Sequence, residues 1–315
     1  MDKFEQNYQL LNDNQRLAVD TLEGPVMVIA GPGTGKTQVL TLRIANLIKS
    51  DVAEPENILA LTFTNAAAAN MRKRLVEMIG VTGYQVRICT FHAFCSTIIG
   101  DNGQYFPLNQ KSEALSDLAT YEIFEEILTK LRLQKLRSTK EKFYYLKDII
   151  SSISTLKREG VSEAEFEKIV ETQKIEFAQQ KDELKKPEIK KWQTNIAKWE
   201  DLILIYNEYQ QLLQKKNLFD YSDMINFVKD AFIKHEDLLL NYQEQFQYLL
   251  VDEYQDTNGA QDNIIDLLTS YWKENANVFV VGDPNQSIYR FQGASLENFL
   301  GFVERYPKAQ IVGLD

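Results

Sequence analysis

The sequence of 315 residues predicts an α/β fold in which a parallel sheet with helices on both faces is interrupted by an all-helical unit. The first observation is a series of short, near-continuous apolar runs, which are typical of strands buried on both faces. The second is that segments with apolar residues every three or four positions separate these runs, as crossover helices do. The third is a long internal segment, from about 101 to 217, that is rich in Glu, Lys, Gln and Leu and lacks a convincing strand.

The predicted elements follow in chain order. The sheet begins with strands at Pro25–Ala30, Ile58–Phe63 and Val86–Thr90, separated by helices at Lys36–Lys49 and Asn65–Ile79. The insertion has helical periodicity, with a break at Pro187, in the segments Leu115–Leu133, Phe143–Leu156 and Trp192–Leu213. The α/β pattern then resumes as strand Tyr248–Val251, helix Ala260–Trp272, strand Val278–Val281, helix Leu296–Tyr306 and strand Gln310–Leu314. We assign 1–100 and 218–310 to one discontinuous domain, 101–217 to a helical subdomain, and 311–315 to the start of a following domain.

Composition excludes several classes of protein. The longest apolar stretches, such as Val26–Ala30, fall far short of the ~18 residues that a membrane helix needs. The first residues lack the apolar region of a signal peptide. Two cysteines, Cys89 and Cys95, are too few for a disulfide scaffold or a zinc quartet. We therefore expect a cytoplasmic globular protein that does not contact a membrane.

The charge distribution leaves two interpretations open. The formal net charge is −10, unlike that of many DNA-binding domains, but net charge does not describe a local groove. Between Lys130 and Lys147, seven basic side chains stand against Glu141 alone. Such a run is most often a solvated helix face, and it could also be a track for phosphates.

The strongest local motif spans residues 30–37, between a predicted strand and a predicted helix. Its glycines allow backbone N–H groups to turn inward around an anion, and the N-terminus of the following helix favours negative charge. The pattern predicts that Lys36 reaches the β- and γ-phosphates of a nucleotide and that the Thr37 hydroxyl ligates Mg²⁺. A phosphate-binding loop is therefore predicted here.

An acidic pair follows the predicted strand Tyr248–Val251. Asp252 would hold magnesium through water, and Glu253 would orient and deprotonate an attacking water. Adjacent carboxylates are common on surfaces, so the pair alone is only suggestive. Because parallel sheets bind ligands at the carboxyl ends of their strands, we expect this pair to meet the phosphate loop.

Six ordered motifs carry a family resemblance. They are Leu11–Gln15, Gly31–Thr37, Leu61–Asn65 with Met71–Arg72, Thr90–Cys95, Asp252–Thr257 and Gly282–Ala294. Together they resemble superfamily 1 DNA helicases of the UvrD/Rep/PcrA type, and Phe219–Ile225 resembles the family's D-[FY]-x-D-L-I-like stretch. The resemblance runs from about residue 10 to 294 and implies a RecA-like motor domain, termed 1A, with a helical 1B insertion.

The resemblance implies that the cofactors are ATP and Mg²⁺. It assigns catalysis to Lys36, Asp252, Glu253 and Gln286, the last as a sensor of the γ-phosphate. Thr37 and Asp252 would hold the metal ion. Nucleotide binding falls to Gln15, which would select adenine, to Arg74, and to Ala30, Gly31, Pro32, Gly33, Thr34, Gly35, Lys36, Thr37 and Gln38.

The resemblance also implies binding to single-stranded and junction DNA. Base stacking on aromatic rings tolerates any sequence, and the family positions for stacking correspond to Phe63, Tyr289 and Phe291. Backbone contacts correspond to Thr64, Asn65, Thr90 and His92. The implied activity is translocation in the 3′-to-5′ direction and duplex unwinding in repair or recombination.

Some positions depart from the family pattern. Ala66 stands where a Lys is usual, Gln38 where an Arg is usual, and Phe291–Gln292 where Trp and Arg are usual. Pro284–Asn285 replaces an acidic pair. The loss of three basic groups implies weaker nucleotide or DNA contacts.

The chain ends where the family's second motor domain would begin. Such motors need arginines from that domain, worth roughly 10³–10⁵ in rate. We therefore expect a monomeric N-terminal fragment that binds ATP·Mg²⁺ weakly and hydrolyses it poorly. The alternatives are the motor of a helicase–nuclease complex of the AddA/RecB type, a non-catalytic ATP-gated DNA clamp, and a phosphate-loop kinase or GTPase, in which Gln286 and Tyr289 would have no role.

Overall fold

The structure, a computed structural model, describes residues 2–108, 112–137, 143–283 and 296–314, and only the backbone of 296–300. It divides into two compact units, residues 1–106 with 227–315 and residues 107–226.

The strands are β1 Val26–Ala30, β2 Ile58–Thr62, β3 Arg87–Thr90, β4 Glu113–Ala114, β5 Leu218–Phe219, β6 Tyr248–Val251, β7 Val278–Gly282 and β8 Gln310–Leu314. The helices are α1 Lys3–Gln9, α2 Asp13–Asp20, α3 Lys36–Lys49, α4 Asn65–Ile79, α5 Phe91–Asp101, α6 Asp117–Lys130, α7 Leu146–Arg158, α8 Glu163–Gln180, α9 Lys186–Lys216, α10 Tyr221–Lys234, α11 Glu236–Gln245, α12 Gly259–Thr269 and α13 Leu296–Arg305. Within these ranges no helix has the length and apolarity needed to cross a membrane.

The first unit is built on a six-stranded parallel sheet with the order β3-β2-β6-β7-β1-β8. Strands β2, β6 and β7 are buried along their whole length, as expected for near-continuous apolar runs covered by helices on both faces. The predicted RecA-like α/β fold is confirmed. Because all strands are parallel, the carboxyl ends of β1, β2, β6 and β7 lie at one edge, where such sheets bind ligands.

Residues 310–314 require a correction. The sequence placed 311–315 at the start of a following domain, but this segment forms β8, which pairs with β1 from Val26 opposite Gln310 to Ala30 opposite Leu314. Val312 and Leu314 are buried whereas Ile311 is 51% exposed. This alternation is typical of an edge strand with one covered face, so the segment belongs to the first unit.

A buried arginine holds α2 against α3, the helix that follows the predicted phosphate loop. Arg43 of α3 is 2% exposed and donates hydrogen bonds to the carbonyls of Ala18, Thr21 and Leu22. These carbonyls lie at or just beyond the end of α2, where a helix supplies no N–H donors for its last carbonyl groups. Burial lowers the pKa of Arg43 to about 9. Arg43 therefore ties α2, which carries Gln15, to α3, which carries Lys36.

The second unit contains α6 to α9 and the short parallel pair of β4 and β5. The pair corrects the expectation that the insertion contains no strand. Helix α8 was not predicted, because only Phe166 and Val170 among its residues are buried and its apolar pattern is sparse. Helix α10 runs through residue 226, where the two units divide. The second unit therefore covers 107–226 and begins six residues, and ends nine residues, later than the sequence boundaries of 101 and 217.

The basic run from 130 to 147 is not one helix face. Helix α6 ends at Lys130, and the backbone N–H groups of Gln134, Lys135 and Leu136 donate to the carboxylate of Asp201 at 2.9, 2.6 and 2.8 Å. Asp201 is buried, and the three donors satisfy it without a cation. The helix-face interpretation is wrong for 131–137, and residues 138–142 lie outside the described ranges.

Candidate nucleotide-binding site

The phosphate loop leaves β1 and opens α3. Gly33 and Gly35 have φ values of 76° and 87°, a left-handed conformation in which a side chain is strained. The Thr34 hydroxyl donates to the Gly31 carbonyl at 2.8 Å and closes the turn. Gly35 is the N-cap of α3 and supplies no side-chain acceptor, so the first N–H groups of the helix remain oriented toward an incoming anion.

Gln15 lies against this loop. Its amide NH₂ donates to the Thr34 carbonyl at 2.9 Å, and its amide oxygen accepts from the Asn12 N–H at 3.1 Å. Asn12 and Gln15 form a reciprocal capping box at the start of α2. Sequence reasoning missed this structural role, although the Asn-x-x-Gln spacing indicates it. Gln15 is therefore positioned beside the phosphate loop, and its adenine contact stays a prediction.

The two motifs meet at Lys36 and Glu253. The Lys36 ammonium donates to the Glu253 carboxylate at 2.7 Å, although 217 positions separate the two residues. Asp252, which follows β6, is 5% exposed and donates its backbone N–H to the Leu61 carbonyl of β2. Glu253 has a φ of 51°, a conformation that costs a non-glycine residue about 1–3 kcal/mol. Such strain concentrates at functional sites.

The carboxylates around Lys36 carry more negative charge than the lysine neutralises. Burial, followed by the charge of Glu253, raises the pKa of Asp252 to about 6. The same two causes raise the pKa of Asp256 to about 6, and Lys36 opposes both shifts. One oxygen of Asp256 is buried without a hydrogen-bond partner among the described residues. The site therefore favours the arrival of a further cation.

Magnesium fits this donor set only together with another ligand. Across the described ranges, no group of three or more His, Cys, Asp and Glu side chains is arranged to hold a metal ion. Hard cations of this kind take carboxylate, hydroxyl and phosphate oxygens. The Asp252 carboxylate and the partnerless Asp256 oxygen supply such atoms. Thr37 directly follows the lysine of the predicted phosphate loop, the position whose hydroxyl ligates Mg²⁺ in nucleotide sites of this pattern.

Gln255 is a site residue that sequence reasoning did not identify. Its amide NH₂ donates to the Glu253 carboxylate at 2.8 Å and its amide oxygen accepts from the Asp283 N–H at 3.0 Å. Asp283 follows β7, so this contact depends on β6 and β7 being neighbours in the sheet. The only signal in the sequence is the position of Gln255 inside the acidic motif.

The described nucleic-acid candidates lie at or just beyond the carboxyl ends of β2 and β3, at the same edge of the sheet. Phe63 is 37% exposed. The Thr64 hydroxyl accepts from the Ala67 N–H and caps α4, whose first residue is Asn65, and the Thr90 hydroxyl accepts from the Ala93 N–H and caps α5. His92 lies in the first turn of α5 and is half-buried. The two threonines therefore have helix-capping roles whether or not they contact DNA.

The remaining predicted residues begin with Arg74, which was expected to contact the nucleotide. Arg74 is exposed on α4, while its neighbour Arg72 donates to the carbonyls of Val86 and Ile88 and holds α4 against β3. Arg72 is thus structural, and the nucleotide contact of Arg74 stays a prediction. The candidates Gln286, Tyr289 and Phe291 lie outside the described residues.

The chain is similar to known helicase domains. It matches the family described as the UvrD/REP helicase N-terminal domain over residues 11–307. It is 33% identical to the ATP-dependent DNA helicase PcrA of Staphylococcus epidermidis over 97% of this chain and 37% of that protein. It is 35% identical to the probable DNA helicase II homolog of Rickettsia conorii, over 97% and 42% of the two chains. It is 36% identical to the DNA helicase II of Rickettsia typhi, over 100% and 43%. The chain thus spans about two fifths of the length of these relatives.

Proposed function

The chain belongs to the family of UvrD/REP helicase N-terminal domains, and from that premise we propose that it is the ATP-binding motor portion of an ATP-dependent DNA helicase. The observation that carries the proposal is the 2.7 Å contact between Lys36 and Glu253. It joins a loop suited to phosphates and a carboxylate suited to water activation at one edge of the sheet. In the whole protein, hydrolysis would drive movement along single-stranded DNA in the 3′-to-5′ direction and unwind duplex during repair or recombination, in the bacterial cytosol or nucleoid.

The chemistry follows from an exchange of partners at Lys36. A γ-phosphate in the loop competes with Glu253 for the ammonium group, because a phosphate carries more charge than a carboxylate. Glu253 then gives up its ion pair and can accept a proton from water. Magnesium, when bound, supplies charge neutralisation at the phosphates, and the Thr37 hydroxyl and Asp252 carboxylate would hold it. Hydrolysis by the 315-residue chain alone is expected to be slow, because related motors use arginines from an opposing domain.

Fluorescent-nucleotide binding tests the nucleotide site. Lys36→Ala removes the cation that reaches the phosphates, so we expect the affinity for a Mg²⁺·ATP analogue to fall by at least about tenfold, the loss expected when a charge-assisted hydrogen bond is removed. Lys49→Ala, at the other end of α3 and paired with Asp2, is the matched control and should bind as the wild type does. Equal affinities for wild type and Lys36→Ala would exclude a nucleotide at this loop.

Single-stranded DNA is the proposed partner at the edge formed by β2 and β3. Phe63 is the exposed aromatic there, and stacking of one base contributes about 1–3 kcal/mol. Phe63→Ala should therefore weaken oligonucleotide binding about fivefold to a hundredfold, equally for different base sequences and with a clear salt dependence. Tyr84→Ala removes an exposed aromatic that precedes β3 and is the matched control. The same loss in both variants would contradict the assignment.

A further inference from the structure

The amide of Gln255 bridges the ends of two neighbouring strands. Gln255 is 2% exposed and lies in the single turn Tyr254–Asp256 after β6. Its NH₂ group donates to Oε2 of Glu253 at 2.8 Å, and its oxygen accepts from the backbone N–H of Asp283, just beyond β7, at 3.0 Å. One short side chain thus connects the carboxylate proposed as general base with the main chain of the next strand.

The orientation of this amide is determined by its partners. The N–H of Asp283 is a buried backbone donor and needs an acceptor. Of the two ends of the Gln255 amide, only the oxygen can accept a hydrogen bond, so the NH₂ group points to Glu253. If the amide were flipped, its NH₂ group would face the Asp283 N–H and its oxygen would face the Glu253 carboxylate. Both hydrogen bonds would then be lost. The structure therefore directs an N–H donor at the Glu253 carboxylate.

Gly282 makes room for this bridge. A Cβ at position 282 would lie 2.3 Å from the Gln255 amide oxygen and 3.2 Å from the Gln255 backbone nitrogen. The φ of Gly282 is not in the left-handed region, so its backbone conformation does not require glycine. The close approach of Gln255 does require it. A side chain at 282 would displace the amide from both of its partners.

We propose that Gln255 is a positioning residue for Glu253 and that it makes the orientation of this carboxylate depend on the main chain at the end of β7. Lys36 and Gln255 donate to the same oxygen, Oε2. When a phosphate pairs with the Lys36 ammonium, the Gln255 amide still donates a hydrogen bond to Oε2 of Glu253. Oε1 of Glu253 can then accept a proton from water. The inference rests on the proposed ATP hydrolysis.

The test compares single-turnover hydrolysis of radiolabelled ATP by the chain in wild type, Gln255→Met and Gln255→Glu. Gln255→Met removes both hydrogen bonds, so the rate at saturating ATP should fall about tenfold to a hundredfold, as misplaced catalytic groups do, while nucleotide affinity changes less than about threefold. Gln255→Glu keeps an oxygen that can accept from the Asp283 N–H but replaces the donor to Glu253 with an acceptor, so the rate should fall at least as far as in Gln255→Met. Gln243→Met replaces another buried glutamine, whose partners are Leu267 and Ser270, and should leave the rate unchanged.

Gly282→Ala provides an independent perturbation. It should lower the rate as Gln255→Met does, and it should lower the rate less in the Gln255→Met background than in the wild type, since the 2.3 Å approach of its Cβ to the amide oxygen is then absent. Thermal unfolding monitors the fold of each variant. A wild-type rate in folded Gln255→Met or in folded Gln255→Glu, or fully additive losses in the double variant, would overturn the inference. A wild-type chain that neither binds nor hydrolyses ATP would instead overturn the proposed function, and the inference with it.

Discussion

Asp252→Asn is expected to stabilise the nucleotide-free protein while removing the carboxylate that is proposed to bind the metal ion. Burial and the neighbouring Glu253 raise the pKa of Asp252 from its ordinary 3.8 to about 6. The fold therefore binds this proton more tightly than the unfolded chain does, and it loses stability as the pH rises from about 4 to about 6. Since a tenfold change in proton affinity corresponds to about 1.4 kcal/mol, the full penalty above pH 7 is about 3 kcal/mol. Asparagine keeps the oxygen that accepts from the Glu253 N–H and carries no charge.

The measurement is urea unfolding of both proteins between pH 5 and pH 8. The chain has three tryptophans, of which only Trp272 is in the first unit, so a shared Trp192→Phe/Trp199→Phe background makes the fluorescence specific to that unit. Asp252→Asn should be more stable than wild type by about 1–3 kcal/mol at pH 8, and the difference should shrink as the pH falls. Equal stability at pH 8, or a difference that grows toward acid pH, would refute this account of the electrostatics.

Three further substitutions test other parts of the structure. Gly35→Ala puts a side chain at a φ of 87°, with its Cβ 3.3 Å from the Gln15 amide nitrogen. Calorimetry should show weaker nucleotide binding together with a loss of stability of about 1–2 kcal/mol. Unchanged nucleotide binding would contradict the assignment of the loop. Arg43→Met leaves the carbonyls at the end of α2 without their buried donor, so chemical denaturation should show a loss of about 3 kcal/mol or more; a neutral result would mean that water replaces the guanidinium. Lys157→Met in the second unit leaves Asp220 and Asp223 without their shared cation and should cost about 3–5 kcal/mol near pH 8. Because burial raises the pKa of Asp223, this defect should lessen at acid pH, and a pH-independent defect would count against the electrostatic explanation.

The sheet and the glycine turn at residues 31–37 could be predicted from the sequence because their signals are local. Each strand buried on both faces is a short apolar run, and helices α3 and α4 end at the predicted residues, Lys36–Lys49 and Asn65–Ile79. The phosphate loop has its glycines at the positions whose φ is positive, Gly33 and Gly35. Local sequence thus determines both the strand and the turn that hold Lys36.

The features that the sequence did not predict depend on contacts between distant segments. Gln255 reaches Asp283 only because β6 and β7 are adjacent. The basic run is folded around Asp201, which lies more than sixty positions away. The strand at 310–314 was predicted, but its pairing with β1, which assigns it to the first sheet, was not. None of these partners can be identified from spacing or from apolar periodicity.

The central claim is that the loop at Lys36 and the carboxylates at Asp252 and Glu253 act on one triphosphate. A crystal structure with Mg²⁺ and a non-hydrolysable ATP analogue tests it most directly. The account predicts the Lys36 ammonium at hydrogen-bond distance, about 2.7–2.9 Å, from a terminal phosphate oxygen, with its contact to Glu253 broken and Gln255 still bound to that carboxylate. An analogue bound elsewhere, or Lys36 still paired with Glu253 beside a bound triphosphate, would contradict it.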